Sequence, residues 1–318
     1  MTNETEQLVK NVDVNVNVKP ESGCISVGPI NFKKFDIKKS NEESKKKNFS
    51  MIICGKTCTG KSHMLREILH QVKDDYVDSY VFCQTIDLQP DLFDYIPEEN
   101  RYNTFDQKKL TDIYNKQHSY VKNELTNNKK NGKKTDKNKL NHILIILDDC
   151  ISDPEFRKSS ILSKLFIQGR HLCLSVVVCT QSISSKEGTS PLSLRNNDFF
   201  ISFYLQSEDC RKLALGKFLS MNGINNANDI FCGITKEKYT AMVINNRVTS
   251  QKYDDVVFYY KADPISKEYM IVDDNKKTEN RSKDFYDDIN RPSIKHSYDS
   301  TLMKSNNVVL NGKIFKVL

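Results

Sequence analysis

The residues best suited to do chemistry stand together: Gly55-Lys56-Thr57-Cys58-Thr59-Gly60-Lys61-Ser62, which fits G-x-x-x-x-G-K-[ST]. Glycines at both ends let the chain curl until successive backbone N–H groups converge on a phosphate. A helix opening directly after such a loop adds the positive end of its dipole. In this arrangement Lys61 reaches the β- and γ-phosphates and the Ser62 hydroxyl ligates Mg²⁺. The implied ligand is a nucleoside triphosphate, ATP with magnesium.

Further along, His142-Ile143-Leu144-Ile145-Ile146-Leu147-Asp148-Asp149 is an apolar run ending in two carboxylates. Asp148 is the candidate to hold Mg²⁺, directly or through water, and Asp149 the candidate general base for an attacking water. Asp149 can also be read as a turn or helix-capping carboxylate. Adjacent acids point to hydrolysis rather than phosphoryl transfer to a second substrate. A nucleotide kinase needs an arginine-rich lid, and only Arg66 and Arg101 fall between Ser62 and Asp148. A third apolar run ends Cys179-Thr180-Gln181, so Gln181 could sense the γ-phosphate or orient water, or be a plain turn residue. Arg170 and Arg195 are candidates for a cation inserted across a subunit interface, or for surface ion pairs.

The elements that must position these groups follow from periodicity. Short apolar runs alternate with helical patterns, which predicts βαβ units, an α/β fold and a mainly parallel sheet flanked by helices. Ser50–Cys54 reads as a strand, Gly55–Gly60 as a loop and Ser62–Val72 as a helix with Met64, Leu65, Ile68, Leu69 and Val72 on one face. Further strands are expected at Tyr80–Gln84, Asn141–Asp148, Leu172–Cys179 and Asp198–Phe203. Met242–Asn245 and Val256–Tyr260 look like a closing pair. The 141–148 strand has no wet face, so it belongs in the interior of the sheet. A helix is expected from Asp106 to about Leu125. Another should open at Asp153-Pro154, an N-cap followed by proline, and run to Gly169.

Residues 1–45, polar apart from a short apolar patch near Ile25–Phe35, and 266–318, charged and Asn-rich, read as polar tails, plain or with a docked strand or helix, around a catalytic domain at 46–265. Within 122–139, seven lysines stand against Glu124 and Asp136. This basic insertion could neutralise nucleic-acid phosphates without regard to sequence, with Lys129, Lys130, Lys133 and Lys134 as the candidates, or it could be a solvated loop. Nine cysteines, an odd number with no CxxC pair, fit a reducing compartment in which cysteine acts as a small hydrophobe. Cys54 with Cys58, or His171 with Cys173, would be only half of a zinc site. No run approaches the roughly 18–20 apolar residues of a membrane helix, and the first residues have neither the basic start nor the apolar stretch of a secretory signal.

Taken in series, these pieces resemble the poxvirus-type virion DNA-packaging ATPases of large eukaryotic DNA viruses, a branch of the HerA/FtsK group. The resemblance is carried by Gly55–Ser62, Tyr80-Val81-Phe82 with Pro90-Asp91, Ile145–Asp149, Gly169-Arg170-His171-Leu172, Cys179-Thr180-Gln181-Ser182 and Leu194-Arg195-Asn196. It is extended by Met242–Asn246 and Phe258–Ala262, and covers about residues 46–263. It implies a RecA-like P-loop NTPase domain acting as an ATP-driven motor that moves double-stranded viral DNA into a preformed capsid. It further implies a homo-oligomeric ring, capsid or virion-assembly proteins as partners, and a location in the host cytoplasm, in viral factories, and in the virion. Asp149 then takes the place of a glutamate found in many relatives, one methylene longer. Gln181 carries over as the sensor, and Arg170 and Arg195 carry over as positions. A replication helicase of the same superfamily and a nucleotide-binding scaffold without turnover are the alternatives. The loop residues Lys56-Thr57-Cys58-Thr59 depart from the Gly- and Ser-rich sequence usual in the family.

Overall fold

The computed structural model describes residues 24–27, 30–183, 196–218, 227–250, 252–263, 269, 271, 307–310 and 313–316. Arg195 lies outside them. Chain contacts divide the molecule into Met1–Lys276 and Lys277–Leu318. In the second unit, β11 (Asn307–Leu310) pairs antiparallel with β12 (Lys313–Lys316).

The first unit opens with an antiparallel pair, β1 (Cys24–Val27) and β2 (Ile30–Lys33), then helix α1 (Ile37–Ser44). Its main sheet contains, among the described residues, eight strands in the order β10-β9-β8-β3-β7-β6-β4-β5. The strands are β3 (Ser50–Cys54), β4 (Asp78–Cys83), β5 (Arg101–Tyr102), β6 (Ile143–Asp148), β7 (Leu174–Thr180), β8 (Phe199–Ser202), β9 (Thr240–Asn245) and β10 (Val257–Lys261). From β5 to β8 every pairing is parallel, while β9 runs antiparallel to both of its neighbours. The expected α/β fold with a mainly parallel sheet is what the chain adopts.

Every residue of β3, β6 and β7 is buried, because both sheet faces are covered. Alternate side chains feed two cores. Met51, Ile53, Leu144, Ile146 and Val177 join Met64, Leu65, Ile68 and Leu69 of α2 (Lys61–Val72) on one face. Ile52, Ile145, Leu147, Val176 and Val178 pack on the other with Leu110 and Ile113 of α3 (Gln107–Lys130) and Ile161 and Leu165 of α5 (Ser160–Gln168).

Four boundaries differ from expectation. The segment expected to be an N-terminal tail contributes buried Phe32, Phe35 and Ile37, with Phe35 edge-on to Phe199 at 5.1 Å. The apolar patch near Ile25–Phe35 is the docked element, a hairpin followed by the start of α1. Tyr269 and Ile271, beyond the expected C-terminal boundary at 265, are likewise buried. The first half of the basic insertion is the last two turns of α3, which continues until Asn131 and Gly132, the latter in the left-handed region at φ +66°. Finally, the helix expected over 154–169 is two: α4 (Pro154–Lys158), capped by Asp153, breaks at extended Ser159 before α5.

Candidate nucleotide site

Parallel strands end at one edge of the sheet, and the sequence has put its chemistry there. The 55–60 loop follows β3, Asp148 closes β6, and Gln181 follows β7. Since β3 and β6 both pair with β7, the phosphate-binding loop, the twin acids and Gln181 meet at adjacent strand ends. This crevice, outside the carboxyl ends of the strands, is where ligands bind in open α/β sheets.

The loop is shaped by steric demands. A Cβ on Gly55 would lie 2.8 Å from Thr59 Oγ1 and 3.0 Å from Phe203 Cβ, so only glycine fits. Gly60 caps α2 at φ +100° and supplies no side-chain acceptor, which leaves first-turn N–H groups of the helix for a ligand. At α1 and α3, by contrast, the helix-start donors are taken by aspartates: Asp36 accepts from Lys39 N and Asp106 from Lys109 N. Cys58 adopts φ +62°, a left-handed turn that glycine makes without strain. The departure of Lys56-Thr57-Cys58-Thr59 from a glycine-rich loop therefore leaves the backbone path intact and moves some strain onto Cys58. Thr59 Oγ1 donates to Lys56 O at 2.7 Å, and Lys61 Nζ donates to Gly55 O at 2.8 Å and Lys56 O at 2.9 Å. The ammonium thus rests across its own loop, within side-chain reach of any anion held there. On the outer flank Lys56 Nζ donates to Gln206 Oε1 at 2.5 Å, and Thr57 is exposed.

Asp148 is buried between neighbours on both sides: its register partners are Cys83 on β4 and Cys179 on β7. The Cys83 thiol lies 3.8 Å from Asp148 Oδ2. Burial pushes the Asp148 carboxyl up to about 6; the Lys61 ammonium opposes this, and the Asp149 charge adds to it. Burial likewise raises Cys83 and Cys179, with the Asp148 charge reinforcing it, so neither thiol competes as a thiolate ligand. Asp149 sits at φ +53°, which turns its side chain out of the strand, and Gln181 Nε2 donates to its Oδ1 at 3.0 Å. Strained backbone of this kind concentrates at functional sites. Two carboxylates at one strand end thus have different surroundings, one buried beside Lys61 and one at the rim with an amide partner.

These groups line a cavity of ≈ 470 Å³ together with Arg66, Thr85 and Asp91. Arg66 is four residues after Ser62 on α2, so the helical repeat alone places it on the face of Ser62. Its guanidinium pairs with Asp94 at 2.7 Å and covers the Tyr95 and Tyr269 rings at 5.3 and 5.8 Å. Thr85 and Asp91 come from the turns after β4, for which no spacing rule gives a signal. Arg170 is not brought to this cavity. It precedes β7, whereas Gln181 follows it, and a strand of that length separates them by about 20 Å. Neither half zinc site finds a second half among the described residues, where no group of three metal-ligating side chains assembles. No helix among the described residues is long and apolar enough to cross a membrane.

A protein-family model described as "Poxvirus A32 protein" matches residues 33–276. An uncharacterized protein of Acanthamoeba polyphaga mimivirus is 22% identical over 235 residues, 73% of this chain and 79% of its own length. An uncharacterized protein of Invertebrate iridescent virus 3 is 24% identical over 260 residues, covering 79% and 86%. Among solved structures, the genome packaging NTPase B204 of Sulfolobus turreted icosahedral virus 2, in complex with ATP-gammaS, is 14% identical. The match covers 68% of this chain and 97% of that one, with a TM-score of 0.44. The resemblance read from the motifs is therefore borne out along most of the chain, which belongs to the poxvirus A32 protein family.

Proposed function

We propose that the chain is a Mg²⁺-dependent ATPase that moves double-stranded viral DNA into the capsid during virion assembly. The observation that carries the reading is the convergence of the 55–62 loop, Asp148, Asp149 and Gln181 on one edge of a parallel sheet. Family membership supports the viral setting, and the resemblance read from the motifs supplies the packaging role.

The donor set fits magnesium. Asp148 and Ser62 offer hard oxygen ligands, and both line the cavity that also holds Lys61. When bound, the ion would neutralise charge on the β- and γ-phosphates. The protein's own share is positioning. Backbone N–H groups of the loop and of the first turn of α2 hold the phosphates, and Lys61 leaves its loop carbonyls for the β- and γ-oxygens. Asp149 accepts a proton from water, and Gln181 holds the Asp149 carboxylate in place.

The resemblance implies a head-to-tail ring. Lys45, Lys46, Lys133, Lys134, Arg170 and His171 are exposed in the segments that precede β3, β6 and β7, at the edge opposite the cavity. Burial, then the cations Lys137, Arg170 and Lys46, hold the His171 pKa below its usual range. On the cavity side, Asp148 closes β6 and Asp87, Asp91, Asp149 and Asp153 follow strands, alongside Lys56, Lys61 and Arg66. A heterologous contact closes into a ring when the rotation permits. Arg170 would then serve a neighbour's site rather than its own.

The test is ATP hydrolysis measured with and without linear duplex DNA, on protein whose assembly state is determined in the same buffer. Duplex-stimulated hydrolysis that Lys61→Ala abolishes is expected. Stimulation by single strands only would favour a helicase, and nucleotide binding without turnover a scaffold.

A further inference from the structure

The phosphate loop, the twin acids and Gln181 account for the triphosphate end of a nucleotide but assign nothing to the base. Asp148, Asp149 and Gln181 lie on the β7–β6 side of the loop. The cavity runs from the loop to the turns after β4, and across the loop from the acids stand β8 and β9. Because β9 runs antiparallel, its beginning, not its end, lies at the sheet edge that carries the loop.

Immediately before β9 is Tyr239. It is 50% exposed, unusual for a ring of that size packed beside a phosphate loop. Its backbone has φ +65°, a conformation that bulky residues rarely adopt. A turn fixes that conformation, with Thr240 N donating to Glu237 O at 3.1 Å, and Lys261 of β10 pairs with the Glu237 carboxylate. The ring is thereby held against the loop: a Cβ on Gly60 would meet Tyr239 Cδ1 at 3.2 Å. Lys238 Nζ stands 4.9 Å from the ring centroid. The core has no use for this ring; the neighbouring Phe203, 2% exposed, already packs the buried side of the loop.

We propose that Tyr239 is the stacking platform for the nucleobase, an inference that rests on the nucleotide reading of the same site. An aromatic face recognises any base through its π-surface, so Tyr239 sets affinity for a nucleoside rather than choice between adenine and guanine. The sequence offers no hint of it, since Tyr239 lies 178 positions after Lys61 and no motif spans them.

The experiment compares the unaltered chain with Tyr239→Ala and Tyr239→Phe, measuring dissociation constants for ATP and GTP and, separately, for inorganic tripolyphosphate, all with Mg²⁺. Base stacking contributes about 1–3 kcal/mol, so Tyr239→Ala is expected to bind both nucleotides roughly 5- to 150-fold more weakly. Tripolyphosphate affinity should stay unchanged, and Tyr239→Phe should restore nucleotide affinity. Equal losses for ATP and tripolyphosphate would overturn the proposal, since Tyr239 would then only be shaping the loop through Gly60. An unchanged ATP affinity in Tyr239→Ala would overturn it too. Failure of the unaltered chain to bind either ATP or tripolyphosphate would overturn the nucleotide reading itself, a result distinct from both.

Discussion

Asp148→Asn should make the protein without nucleotide more stable while it destroys the activity. Asp148 is 6% exposed, and burial raises its carboxyl from 3.8 to about 6 despite the attraction of Lys61. At roughly 1.4 kcal/mol for each tenfold change in the ionisation constant, holding that carboxylate charged costs about 3 kcal/mol of folding stability at neutral pH. The sign follows from linkage. A group whose pKa is higher in the folded state contributes stability while it is protonated, below its unfolded value, and loses it as pH rises through its folded value. The neutral amide has a similar shape and keeps an acceptor toward the Cys83 thiol. The variant should therefore exceed the unaltered protein by about 3 kcal/mol at pH 8. The gap should narrow through pH 6 and close near pH 4. For a domain of this size each kcal/mol moves Tm by roughly 2–4 °C, so the gap at pH 8 should read as about 6–12 °C in a thermal melt. Using the difference between two proteins at each pH cancels every other titrating group. Under the proposed function Asp148 would contribute an oxygen ligand to the ion, so Mg²⁺-dependent ATP hydrolysis should fall by about two orders of magnitude or more. An Asp148→Asn variant equal to or less stable than the original at pH 8, or a gap that ignores pH, would refute the claim that this acid is held charged against burial for the sake of a cation.

Two other substitutions probe the neighbouring groups. Asp149→Asn should leave ATP affinity within about threefold and reduce hydrolysis by about 10²–10⁴-fold, the range expected for loss of a general base, as read by single-turnover kinetics. A loss of affinity instead would show that Asp149, not Asp148, carries the metal. Gly60→Ala must place a side chain at φ +100° and 3.2 Å from the Tyr239 ring. It should cost about 1–2 kcal/mol in a denaturant melt and weaken nucleotide binding, since the loop and the first turn of α2 move together; an unaltered melt would mean the loop has another relaxed path.

The triphosphate half of the site was legible because each part is local. Gly55–Ser62 declares itself by spacing, and the apolar runs at 143–147 and 174–179 declare strands whose ends carry Asp148, Asp149 and Gln181. Parallel pairing then brings those ends to one edge with no further information. Even Arg66 was recoverable, from its helical offset to Ser62. The ends of the domain were legible only as an apolar patch near Ile25–Phe35, and their boundaries were not, for the opposite reason. Phe32, Phe35 and Ile37 sit among lysines and asparagines, and their burial depends on contacts with strands more than a hundred residues away, such as Phe35 on Phe199.

By itself, then, the sequence determined that a triphosphate loop, two acids and an amide would share a sheet edge, because backbone geometry makes that a consequence of order and period. Only the tertiary structure decided the rest. It put Asp148 between two buried cysteines, where desolvation raises its proton affinity. It set Arg170 at the far end of β7, and it reversed β9 so that Tyr239 faces Gly60. Dielectric environment and through-space approach arise from packing among distant segments, and no local pattern of residue types encodes them.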